Sequence, residues 1–128
     1  MDTGDELAPF AHIHALIAED DALIALDIEQ VLITHFGMKV SVVHRLPEGL
    51  ALMARDPPHI AILDFDLDGA GIEPLARALD EAGTPIIFVS GYRSHPLDPL
   101  AHGLKLDKPY AAHDLVGMVE AAVGRLAL

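Results

Sequence analysis

Three aspartates at alternate positions, Asp64, Asp66 and Asp68, close the run HIAILDFDLDG just ahead of Gly69. Carboxylates so placed suit a calcium loop, the Asp-x-Asp of a phosphotransferase, or a polar turn after a buried strand. A calcium loop also needs a bidentate glutamate six residues past its glycine, with helices on either side. That position is Leu75, and the flanking run reads as a strand, so calcium fits on neither count. Other groups able to act on phosphate are spread along the chain: Glu19, Asp20 and Asp21 after one apolar run, Ser90 after another, and Lys108 ahead of Pro109.

Each of these residues alone has a plain structural use. An acid after a strand caps the next helix, a serine there makes a turn, and a lysine is a solvated charge. What joins them is the elements they follow. AHIHALIA reads as a first strand, and residues 21–36 carry Leu23, Leu26, Ile28, Val31, Leu32 and Phe36 at helical spacing, with Asp21 as cap and Gly37 as stop. MKVSVVH is β-branched, a second strand. PEGLALMARD opens on proline and sets Leu50, Met53 and Ala54 on one side of a second helix. HIAILD and TPIIFVSGY are unbroken apolar runs, the mark of strands buried on both faces. IEPLARALDEAG lies between them as a helix. Pro96, Pro99 and Gly103 break residues 93–103, which are expected to be the moving part of the fold. LKLDKPY is a brief fifth strand, and the last helix points Leu115, Met118, Val119, Ala122 and Leu126 inward.

Five β-α units in succession predict an α/β fold, a doubly wound five-stranded parallel sheet of order 2-1-3-4-5. Sites in that architecture lie outside the carboxyl ends of the strands, where the strand order reverses. Glu19 and Asp20, Asp64, Ser90 and Lys108 would all reach that one edge. Two carboxylates ~4 Å apart repel by about 1 kcal/mol in water and about 4 kcal/mol at an effective dielectric of ~20. Gathering Glu19, Asp20 and Asp64 therefore calls for a cation, and a few hard oxygens open to water suit Mg²⁺. Lys108 could bind a phosphoryl oxygen and Ser90 could donate a hydrogen bond to another, which leaves Asp64 as nucleophile.

The acid pair after strand 1, ILD at strand 3, FVSGY at strand 4 and KPY at strand 5 together resemble the receiver domain of two-component response regulators. FVSGY is similar to the F-A-T-G-Y variant of some stand-alone receivers. The resemblance implies a flavodoxin-like fold over residues 11–128 after an acidic tail, 1–10. It implies a phosphoacceptor that assists its own phosphorylation and dephosphorylation but is not otherwise an enzyme. Asp64 would take the phosphoryl group from a histidine kinase or histidine phosphotransfer protein. Asp20, helped by Glu19 through water, would bind Mg²⁺ together with Asp64 and the backbone carbonyl of Asp66. Ser90 and Lys108 would hold the phosphoryl group, and the Lys108–Pro109 bond would be cis. Lys105 stands where receivers commonly carry a switch aromatic, a part Tyr92 could take. Two alternatives stay open: a receiver-like module that only binds proteins, and a haloacid dehalogenase-type phosphatase, which shares the Asp-x-Asp, Ser and Lys but carries the first after its first core strand and a further acidic motif after the lysine, whereas here the extra acids, Glu19 and Asp20, lie upstream.

Composition narrows the partners. With 20 acids against 8 Lys and Arg the charge is −12, which repels nucleic acid. The chain lacks cysteine, a basic leader and any apolar run of membrane-spanning length, so a cytoplasmic protein that signals through a downstream protein is expected. The apolar ending GRLAL could support a homodimer, and no output domain is expected after the last helix. His12 and His14 would share a strand face and His95 and His102 a loop, with no zinc-like spacing, so all are expected to be ordinary surface or half-buried histidines.

Overall fold

A computed structural model describes residues 10–65, 67, 71–91 and 103–126 of the 128-residue chain. The acidic tail up to residue 9, Asp66, Asp68, Tyr92, His95, His102 and most of the Pro-broken segment lie outside the described residues. Five strands, β1 (His14–Ala18), β2 (Lys39–Val43), β3 (Ile60–Asp64), β4 (Ile86–Ser90) and β5 (Leu104–Asp107), form one sheet. Its order is β2-β1-β3-β4-β5, and every pair is parallel, as the β-α alternation predicts. The helices are α1 (Ala22–Val31), α2 (Leu46–Arg55), α3 (Glu73–Glu81) and α4 (Ala112–Gly124). A π-helical turn, Leu32–Phe36, prolongs α1. It stops at Gly37, whose φ of 72° favours glycine because a side chain there crowds the backbone.

Strand side chains alternate between two cores. Ile13, Ala15, Ile17, Ile62 and Val89 pack on one face with Ile28 of α1 and Val119 of α4. On the other face, Leu16, Ala61, Leu63 and Phe88 meet Leu52 of α2 and Leu75 of α3. Two helices sit differently from what their apolar spacing predicts. α1 turns Ala25 and Ile28 inward and leaves Leu23 and Leu26 exposed by 74% and 47%. α2 buries Gly49 and Leu52, while Leu50 and Ala54 face solvent. The reason lies at Gly49, where a Cβ would stand only 2.7 Å from Leu75 Cδ2. The smallest residue therefore marks the line of closest approach between α2 and α3, and counting large apolar residues alone misplaces the stripe. On α4 the inward residues are Leu115, Val119 and Ala122, with Met118 and Leu126 half-buried beside them.

At the amino ends of the strands, His14 corrects the expectation of surface or half-buried histidines, being buried. His12 is exposed, but His14 is buried in β1. Its ring Nε2 lies 2.7 Å from Ser41 Oγ on β2, and its backbone N–H donates to His59 Nδ1 at 2.8 Å. The ring Nδ1 has no hydrogen-bond partner among the described residues and lies 3.9 Å from Asp56 Oδ2. Asp56 in turn pairs with Lys39 at 3.1 Å, on the surface. Burial holds the His14 imidazole below its ordinary pKa, with Asp56 opposing, so the ring is neutral where it packs. Among the described residues no helix is long and apolar enough to cross a membrane.

Candidate functional site

The carboxyl edge of the sheet gathers the residues singled out above. Backbone bonds fix each just past its strand: Glu19 N–H donates to Val43 O at 3.1 Å, Phe65 N–H to Val89 O at 3.1 Å, and Lys108 N–H to Ser90 O at 2.7 Å. A cis peptide joins Lys108 to Pro109, as expected. The His44 ring, through Nδ1, lies 2.9 Å from Glu19 O, and the Phe65 ring stacks on Phe88 with centroids 5.0 Å apart. Asp21 takes the capping part open to it, accepting from Leu23 N and Ile24 N at 2.9 and 3.2 Å.

Glu19, Asp20 and Asp64 each offer a carboxylate oxygen, all within 4.8 Å of one another. Glu19 and Asp64 are buried while Asp20 is exposed, so the cluster opens to water on one side. From β5, the Lys108 ammonium reaches Glu19 Oε1 at 3.2 Å and Asp64 Oδ2 at 3.5 Å. Burial, with the hydrogen bond and charge of Asp64 beside it, pushes the Glu19 carboxyl up to about 7. Partial burial alone would lower the Lys108 pKa, but the Asp64 charge and the bond to Glu19 outweigh it and raise it. One ammonium thus serves two buried acids, and a third acid stands at the open side. An all-oxygen donor set of this kind fits a hard divalent cation such as Mg²⁺, with Glu19, Asp20 and Asp64 to hold it. The Asp66 carbonyl, the remaining expected ligand, lies outside the described residues.

Ser90, the last residue of β4, is buried at the same edge. Its Oγ donates to Asp107 Oδ1 at 3.2 Å, an acceptor that sequence reasoning missed. The signal was present in part, since Asp107 directly precedes Lys108. What was lacking was the register, which sets Ser90 opposite Asp107. Lys105, two residues before Asp107 on β5, is exposed.

No protein-family model and no characterised protein sequence matches the chain. Solved structures do. The signal receiver domain classed as a LuxO repressor of Vibrio parahaemolyticus aligns with a TM-score of 0.74 at 20% identity, over 88% of this chain and 91% of its own. The Francisella response regulator 1452 receiver domain aligns at 0.71 and 24% identity, over 88% and 98%. The receiver domain of the sensor histidine kinase PA1611 of Pseudomonas aeruginosa, solved with a magnesium ion in its active-site cleft, gives 0.73 at 19% identity, over 88% and 98%. Strand order, the acids at the turning point of the sheet and these neighbours agree: the chain has the fold of the response regulator receiver domains.

Proposed function

We propose that the chain is a receiver whose Asp64 accepts a phosphoryl group from a phosphohistidine of a kinase or phosphotransfer protein, with Mg²⁺ at the acidic cluster. The observation that carries this reading is the convergence of Glu19, Asp20 and Asp64 on one point, with Lys108 reaching across to two of them. In the reaction, an Asp64 carboxylate oxygen forms a bond to phosphorus while the phosphorus–nitrogen bond breaks and the imidazole leaves with the electron pair. The bound cation would supply charge neutralisation for the transferring group. Lys108 would exchange its hold on Asp64 Oδ2 for a phosphoryl oxygen, and the Ser90 hydroxyl would donate to another. The chain acts on itself and turns over no outside substrate.

The surroundings suit a protein donor. Leu23 and Leu26 stand exposed on the first turns of α1, next to the capping Asp21. Beside them a groove of about 690 Å³ runs between α1 and the start of α4, lined by Ile24, Ile28, Val31, Pro109, Tyr110 and Lys108. Apolar surface left open beside a reacting group is what a docking partner would cover. The signal would then leave by protein contact rather than by binding nucleic acid, which the net charge of −12 disfavours.

Intact mass after treatment with acetyl phosphate and Mg²⁺ tests the reading. One added phosphate on the native chain and none on Asp64→Asn is the expected result. Catalytic release of phosphate from a phosphomonoester would favour a phosphatase instead, and neither reaction would leave a protein-binding module.

A further inference from the structure

The acceptor reading leaves one side chain at this edge without a part, Asp107. Parallel pairing sets Ser90 opposite Asp107, so the two side chains leave the sheet together on one face. Ser90 is buried and Asp107 is exposed. The asymmetry matters, because bulk water could satisfy the exposed carboxylate alone whereas a buried hydroxyl needs a fixed partner. The 3.2 Å contact to Asp107 Oδ1 supplies it. An ionised carboxylate only accepts, so the hydroxyl gives its single proton to Asp107. Lys108, the next residue, has its ammonium on Glu19 and Asp64 instead.

The same proton is what Ser90 would offer to an oxygen of a phosphoryl group on Asp64. We infer that Asp107 is a positioning residue that restrains Ser90, holding its hydroxyl in the unphosphorylated chain and yielding it only in exchange for a phosphoryl oxygen. The inference rests on the acceptor reading and adds a restraint to it. A bond made in only one of two states shifts the balance toward that state. Asp107 therefore lowers the phosphorylated fraction reached at a given donor concentration, and its negative charge, facing a second anion across Ser90, works in the same direction. Removing the acceptor would leave the buried hydroxyl unsatisfied until the phosphoryl group arrives, which reverses the bias.

The test compares native chain, Asp107→Asn and Asp107→Val, each with and without Ser90→Ala, at limiting acetyl phosphate and Mg²⁺, with intact mass as the readout. The phosphorylated fraction should rise from native to Asn, which can still accept a weaker bond, and further to Val, by at least about threefold in all. In the Ser90→Ala background the Asn and Val chains should be equal and should exceed the native chain only by the smaller charge effect, a pattern that a general structural effect would not give. Labelling of the native chain that equals or exceeds that of Asp107→Val overturns the inference alone, as does a gain that persists undiminished without Ser90. No label on any chain with Asp64 intact overturns the acceptor reading and this inference with it.

Discussion

The two ends of the same sheet bury polar groups to opposite effect. At the amino ends, His14 bonds to Ser41 through its ring and to His59 through its backbone N–H, and the imidazole stays neutral. At the carboxyl ends, Glu19 and Asp64 are buried just as deeply, yet they share one ammonium and stand near Asp20. Burial is tolerated at the first because charge is avoided. At the second, two buried acids share one ammonium, and burial with Asp64 beside it pushes the Glu19 carboxyl up to about 7.

The comparison is easiest to break at the amino end, where the expected effect is largest. His14→Ala removes a buried ring and the partner of Ser41, and should cost about 2 to 4 kcal/mol in chemical denaturation. A loss within the error of the method would mean that the network contributes little. The opposite sign is expected at the carboxyl end. Asp64→Asn removes repulsion from both Glu19 and Asp20 and gives up the attraction to Lys108. Without divalent ions at neutral pH it should stabilise the chain by about 1 kcal/mol, since each such term is screened at the open side. Destabilisation by Asp64→Asn would contradict net repulsion among the three acids.

The two ends should also differ in their response to pH. Glu19 has a folded pKa raised from 4.5 to about 7, so the folded chain binds the extra proton between those values and loses stability as pH rises through that window. The benefit of Asp64→Asn should therefore grow from pH 4.5 to 7 in denaturation series on both chains. For His14, a folded pKa below 6.5 means that the unfolded chain takes the proton first, so stability is lost as pH falls below 6.5. The penalty of His14→Ala should accordingly shrink on the acid side. The smallest effect belongs to Lys39→Ala, whose pair with Asp56 is exposed, and a change under about 1 kcal/mol is expected by the same method.

Much of the carboxyl end was legible in the sequence, because a strand buried on both faces must end where an acid or a lysine appears. ILD, FVS and KPY marked those points, and the β-α order brought them to one edge. Features that depend on register between elements were not legible. The inward side of α2 turns on Gly49 fitting against Leu75, and the Ser90–Asp107 bond on how β5 pairs with β4. His14 was read as ordinary because its burial comes from neighbours distant in sequence, Ser41, Asp56 and His59. On α1 the large residues Leu23 and Leu26 drew attention from Ala25, although the small residue is the one that packs.

The most direct test of the acidic carboxyl end is the thermal midpoint with and without millimolar Mg²⁺, for the native chain and Asp20→Asn. A cation that binds only the folded state raises the midpoint by linkage. The account predicts a clear rise for the native chain and a much smaller one for Asp20→Asn. An equal response from both chains, or none from the native one, would contradict it.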